Sequence, residues 1–316
     1  MKALSKKIYL EILDGAPLDE IQKALNLPTT IFSKHLKDLR DNGFRFQRTI
    51  FSNGSIKLEP DLSLSFNPHV HHQKINVIGD TFKTMFISDT HIGNIRERLD
   101  YIKIAYQYAK DHGIHIIFNG GDVIDNIYPE NMNNLKIKTL EGQINKTVNE
   151  ISDIPGTITL CLYGNHEAHS LTTDGIDVAR IFEDKRYDFV SLGYGCCRIE
   201  MKQDAIGISH FIKKIPINDI IKNVSINFRG NSHKSKTSYK ESKEIYIPTL
   251  SDNISNAYEY KPLPGFLAAD IIFHGNQIER INTTHLSIVN DELRMCNEDA
   301  IVLRKVPIEK RNPKNN

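Results

Sequence analysis

Apolar residues recur at helical spacing three times before residue 43. Leu4, Ile8 and Ile12 share one face of a helix that Gly15 ends, and Leu18, Ile21 and Leu25 share a face of a second that stops at Leu27-Pro28. Thr29 or Thr30 is placed to cap a third helix over 30–42, which turns Phe32, Leu36 and Leu39 inward and closes at Asn42-Gly43. The period then shifts to alternation from Arg45 to Phe51, Asn53-Gly54 supplies a left-handed turn, and Ile56-Lys57-Leu58 returns, which predicts a hairpin over 44–58. Residues 59–80 carry two Pro and three closely spaced His, and read as a linker in which His69, His71 and His72 are solvated. Beyond it, strands are expected at 84–88, 114–118, 157–162 and 205–209, with a helix over 95–111 between the first two. The stretch from Tyr246 to Leu303 reads as β-rich with a turn at Asn290-Asp291, and 304–316 as a polar tail. Alternating strands and helices from 81 to 303 predict an α/β domain, two sheets flanked by helices, behind a small N-terminal module.

Helix, helix, short turn, helix and ribbon resembles a winged helix-turn-helix over 1–58, with 30–42 as the recognition helix and 44–58 as the wing. Charge supports an anionic partner. The chain carries a formal net charge of +1, yet residues 1–58 hold seven Lys and three Arg against four Asp and two Glu, so this segment is +4 and the remainder −3. Lys34, Lys37 and Arg40 on the third helix, with Arg45 and Arg48 on the ribbon, are the candidate nucleic-acid contacts; a protein-docking face is the alternative. Composition changes little else. Hydrophobic residues are 40% and charged residues 25%, no apolar run is long enough to span a membrane, and no signal-peptide core follows the N-terminus, so a cytoplasmic location is expected. Cys161, Cys196, Cys197 and Cys296 lack ligand spacing and read as reduced thiols.

The chemistry-bearing residues follow the expected strands, where α/β sheets gather ligands. Asp89 and His91 follow 84–88, and two residues apart on an extended segment they reach one ion together. Asp122 follows Gly120-Gly121, Asn165 and His166 follow Gly164, His210 follows Ser209, and His233 follows Gly230 by three positions. Carboxylate, amide and imidazole donors suit Mn, Fe, Zn or Ni better than Mg. Two such ions about 3.5 to 4 Å apart would clamp a phosphate and acidify a water between them.

The ordered set Ser88-Asp89-Thr90-His91, Gly121-Asp122, Gly164-Asn165-His166-Glu167, His210 and Gly230-Asn231-Ser232-His233 resembles that of the calcineurin-like metallophosphoesterases, over roughly residues 82–285. The resemblance implies that Asp89, His91 and His233 hold one metal, that Asp122 bridges, and that Asn165 and His210 hold the second. It implies that His166 serves the leaving oxygen, with the Asp125 carboxylate orienting it. Two divalent ions, with Mn expected, and a metal-bound hydroxide as nucleophile go with it. Two positions depart from the pattern. Asn231 stands where the family carries a histidine ligand of the second metal, so that ion is expected to be held less tightly. Asn126 stands where protein phosphatases of the family carry a phosphate-binding Arg, which argues against a protein phosphatase. The string Ser88-Asp89-Thr90-His91-Ile92-Gly93 resembles the family's nuclease branch, so a phosphodiester, DNA or another nucleic acid, is the expected substrate. A DNA-binding regulator with impaired chemistry and a small-metabolite phosphatase are the competing readings.

Overall fold

The structure, a computed structural model, describes residues 2–61, 72–211, 224–233, 237–238, 244–252 and 263–303. The positions of His69 and His71 and the expected polar tail lie outside them. At the N-terminus, α1 (Ala3–Leu13), α2 (Leu18–Ala24) and α3 (Thr29–Asp41) precede the hairpin of β1 (Phe46–Phe51) and β2 (Ile56–Pro60), the order the apolar spacing predicts. The expected cap is corrected. Pro28 occupies the N-cap, and Thr29, already helical, accepts from Gln22 Nε2 (2.9 Å) and donates to Asp153 Oδ2 (2.5 Å), which ties α3 to the rest of the chain.

The remaining elements run β3 (His72–Asn76), β4 (Thr81–Ile87), α4 (Leu99–Asp111), β5 (Ile116–Asn119), α5 (Leu140–Glu150), β6 (Ile158–Tyr163), α6 (Asn165–Asp174), α7 (Val178–Lys185), β7 (Phe189–Tyr194), β8 (Cys196–Met201) and β9 (Asp204–Ser209). Then come β10 (Asn227–Arg229), β11 (Thr237–Ser238), β12 (Glu244–Tyr246), β13 (Gly265–His274), β14 (Gln277–Val289) and β15 (Glu292–Val302). They form two mixed sheets, one ordered β11-β12-β10-β9-β8-β3-β1-β2 and the other β15-β14-β13-β4-β5-β6-β7. Alternation on β4 sends Phe82 and Phe86 into the core between the sheets and Met85 and Ile87 toward the helices. Phe86 stacks on Phe118 of β5 (5.0 Å between centroids) and on Phe228 of β10 (3.8 Å), joining the two sheets directly behind the strand ends that carry the candidate ligands. A second core lies between the β4-β5-β6 face and α4, α5 and α7. The turn expected at Asn290-Asp291 joins β14 to β15, with φ of +52° and +61° at its two residues.

The expected linker is corrected in part. Glu59 and Pro60 complete β2, and residues 72–76 form β3, parallel to β1 (Ile50 beside Ile75) and to β8 (Lys74 beside Glu200). Only Ile75 of this strand is buried, so a polar segment with one core residue showed no alternation to read. His72 pairs with Glu200 (2.8 Å) and belongs to none of the metal-ligand groups among the described residues. β3 makes the hairpin an extension of the larger sheet, and Ile8, Phe32 and Ile50 share one continuous core with Phe86 and Phe228. The hairpin turn fits tightly: a Cβ on Gly54 would lie 2.2 Å from the Gly156 carbonyl oxygen.

Phe32 is fully buried and meets Tyr187 edge-on at 5.3 Å. Phe32→Ala is expected to cost about 3 to 5 kcal/mol, with the chain still unfolding in one transition by calorimetry. A separate early transition for the N-terminal helices would contradict the shared core.

Candidate metal centre

The loops after β4, β5, β6, β9 and β10 meet where the carboxyl ends of both sheets come together. The loops after β4 and β5 are zipped by backbone hydrogen bonds, from Asp89 N to Gly121 O (2.9 Å), His91 N to Asp122 O (3.1 Å) and Ile92 N to Val123 O (2.9 Å). The expectation that Asp89 and His91 converge because the segment is extended is corrected. Both are left-handed, with φ of +54° and +43°, as are Asp122 (+52°), Asn126 (+58°), Asn231 (+66°) and His233 (+52°). Side chains with a Cβ are unfavourable there by about 1 kcal/mol or more each. Six such residues in one site mark loops bent to aim side chains inward.

Asp89, His91 and His233 form one group whose donor atoms lie within metal-chelating reach of each other; Asp89, Asp122 and His210 form a second; His91, Asp125 and His166 form a third. His233 Nε2 lies 3.2 Å from Asp89 Oδ1, and His91 Nε2 lies 3.9 Å from both Asp89 Oδ1 and Asp122 Oδ2. His210 Nε2 is 3.0 Å from Asp122 Oδ2 and 3.2 Å from Asn165 Oδ1, and its Nδ1–H donates to the Gly120 carbonyl (2.7 Å), which turns Nε2 toward the carboxylate. Gly164 permits this approach, since a Cβ there would sit 2.2 Å from Asp122 Oδ1. Asn231 enters through its backbone, its N–H donating to Asp89 Oδ2 (3.1 Å).

Asp125 acts on a different histidine from the one expected. Its Oδ1 accepts from His91 Nδ1 (2.9 Å), while Oδ2 accepts from Asn94 Nδ2 (2.9 Å) and Asn131 Nδ2 (3.2 Å). His166 is held instead by the Asp125 backbone carbonyl, to which its Nδ1–H donates (2.6 Å), with the carboxylate farther away at 3.6 Å. Both imidazoles therefore carry their proton on Nδ1 and present Nε2 to the centre. For His91 this is the carboxylate–histidine arrangement that orients metal ligands.

Asp89 and Asp122 are fully buried, and among the described residues neither has a Lys or Arg partner. Burial alone would raise the pKa of Asp122, but His210, His166 and His91 hold it far below the carboxylate range. The converse holds for the imidazoles. Burial opposes charge on His210, yet Asp122 and then Asp89 push it up to about 9. His233 is raised by Asp89 and His166 by Asp122, each against burial, whereas burial keeps His91 low and neutral. Without metal, only protons on histidines offset these carboxylates among the described residues, while His91 Nε2 and His233 Nδ1 are buried there without hydrogen-bond partners. Divalent cations fit both the charge deficit and the unpartnered donors.

Several residues support the loops in ways the sequence reading did not assign. Glu167 accepts from Ile124 N (2.8 Å) and Gly164 N (2.9 Å), stapling two ligand loops, and its burial followed by Asp122 raises its pKa to about 7. Its place beside His166 was the available signal. Gln143, a polar residue on the buried face of α5, accepts from Asn126 N and donates to Asn126 O. Asn126 donates through Nδ2 to His166 O (2.5 Å). Tyr108 stacks on His112, the Gly156 carbonyl binds His115, and His169 meets Tyr128 edge-on.

The N-terminal basic residues lie away from this centre. Arg40 pairs with Asp184 (2.6 Å), Arg48 with Glu183 (2.8 Å), and Lys37 with Asp41 (2.6 Å) and more distantly Asp184 (3.9 Å), so α3 presents its basic edge to α7. Lys34 and Arg45 are exposed.

The family profile described as calcineurin-like phosphoesterase matches residues 82–288. The chain belongs to that family. It is a metal-dependent phosphoric ester hydrolase, and the matched span runs from β4 to near the end of β14. Among solved structures, Vacuolar Protein Sorting 29 from Cryptosporidium parvum is 12% identical, with 71% of this chain and 100% of that one covered and a TM-score of 0.42. The calcineurin-like phosphoesterase YfkN from Bacillus subtilis is 8% identical, with 71% and 90% covered and a TM-score of 0.34. No curated protein sequence matches the chain.

Asp125→Asn replaces the carboxylate that holds His91. Metal affinity is expected to fall about 10- to 100-fold by titration calorimetry, with little change in folding; unchanged affinity would show that His91 needs no such support.

Proposed function

We propose that the chain is a dinuclear-metal phosphodiesterase. The observation that carries this reading is the pair of buried carboxylates, Asp89 and Asp122, ringed by imidazole nitrogens and lacking a Lys or Arg counter-charge among the described residues. Asp89, His91 and His233 would hold one divalent ion, Asn165 and His210 the other, and Asp122 would lie between them. Bound there, the ions supply positive charge for the phosphate oxygens and an acidified water as nucleophile. Mn suits this mixed oxygen and imidazole set, as do Fe, Zn and Ni. With an amide rather than an imidazole at Asn231, the second ion has fewer strong donors than the first.

The protein groups divide the remaining work. The Asp125 carbonyl fixes the His166 ring, and Asp122 favours its protonated form, so His166 Nε2–H can give its proton to the oxygen that leaves phosphorus. Asn126 braces the His166 backbone and carries no charge for a phosphomonoester dianion, which favours a diester with its single negative charge. A nucleic-acid strand is the diester we propose. Residues 1–58 are proposed as a winged helix used for docking. The pairing of Lys37, Arg40 and Arg48 with α7 supports holding the module in place over reading a groove with α3. Among the described residues no helix is long and apolar enough to cross a membrane.

Manganese-loaded protein should hydrolyse bis-p-nitrophenyl phosphate and a single-stranded oligonucleotide, and Asp122→Ala should lower either rate at least about 10³-fold, the scale of losing a metal's contribution to transition-state charge. Absence of turnover with Mn, Fe, Zn and Ni would sink the enzymatic reading; turnover of the small diester without the oligonucleotide would remove only the nucleic-acid substrate.

A further inference from the structure

Tyr128 lies three residues beyond Asp125, where the chain enters a short 3-10 helix (Pro129–Asn134). Its N–H donates to Asn131 Oδ1 (2.9 Å), and Asn131 Nδ2 reaches back to the Asp125 carboxylate (3.2 Å), so the ring is fixed relative to the His91–Asp125 pair. The ring meets His166 edge-on at 5.2 Å and His169, nearly one turn along α6, at 4.7 Å. Its hydroxyl is buried and has no hydrogen-bond partner among the described residues, although a buried phenol normally finds one. Burial, and after it the charges of Asp122, Asp125 and Glu167, keep the phenol protonated, so it can only be a donor to a negative group. A phenylalanine would fill the same space. The hydroxyl therefore needs another reason to be there, and its position beside His166 supplies one.

Resting on the phosphodiesterase reading above, we infer that Tyr128 is a catalytic residue of the leaving-group side, donating its O–H to the oxygen that departs from phosphorus. In that step the water oxygen bonds to phosphorus, the bond from phosphorus to the leaving oxygen breaks, and His166 delivers its proton to that oxygen. Tyr128 keeps its own proton. Its hydrogen bond strengthens as negative charge grows on the leaving oxygen, so it matters most where the leaving group is poor and charge builds furthest.

Tyr128→Phe, compared with the unmodified chain across a series of aryl phosphodiesters of rising phenol pKa, tests this. The expected result is a kcat nearly unchanged for p-nitrophenyl esters and reduced about tenfold for unsubstituted phenyl esters, the scale of one hydrogen bond to a charged oxygen. The dependence of rate on leaving-group pKa should steepen, and the unfolding midpoint should stay put. A loss equal across the series, or no loss, overturns the assignment. Should the unmodified chain hydrolyse no member of the series, the phosphodiesterase reading fails by itself. Binding of diphenyl phosphate to the metal-loaded protein then decides Tyr128: about fivefold weaker binding by the Phe variant sustains the contact, and equal affinity overturns it.

Discussion

Two carboxylates, Asp89 and Asp122, are buried with no Lys or Arg beside them among the described residues, and the surrounding structure answers that constraint. An isolated buried carboxylate is strongly unfavourable, so it must borrow charge. Here it borrows protons from His210, His233 and His166, whose imidazoles are all raised against the effect of burial. Divalent cations relieve the same deficit with more charge and leave the imidazole nitrogens free to coordinate. The site is thus built from a shortage of positive charge, and its catalytic capacity follows from what fills it.

Holding these groups together costs backbone strain, offset by the packing around it. Left-handed φ angles at Asp89, His91, Asp122, Asn126, Asn231 and His233 fall in the segments that leave the ends of β4, β5 and β10. The Phe86, Phe118 and Phe228 stack fixes those ends from the core side. Glu167 and Gln143 fix the loops from the helix side by saturating backbone groups that would otherwise be buried unpaired. Asp125 does the same for the His91 ring.

Much of this was legible in the sequence because ligands follow strands, and strands announce themselves by apolar runs. Asp89, His91, Asp122, Asn165, His210 and His233 were each found behind such a run, and the structure brings them to one place. The pairings within the site were not legible. Asp125 lies three residues after Asp122 and could have reached either His91 or His166; only the zippering of the β4 and β5 loops places His91 against its carboxylate and leaves its carbonyl for His166. The start of α4 came four residues later than its period suggested, because Asn94 turns back to bind Asp125. β3 was hidden for the opposite reason: its neighbours in the sheet supply the pairing, so its own sequence needs only Ile75. The basic face of α3 was legible as charge, but its acidic complement on α7 lies about 140 residues away and cannot be paired from sequence.

The N-terminal module is therefore part of the molecule's frame, sharing its core and one sheet with the phosphoesterase domain, while the chemistry rests on the metal centre alone. The most direct test of that centre is the number of ions it takes up. Metal-free protein titrated with Mn and followed by calorimetry should bind two ions per chain, the second more weakly than the first. No binding, or a single ion whose affinity survives Asp122→Ala, would contradict the account.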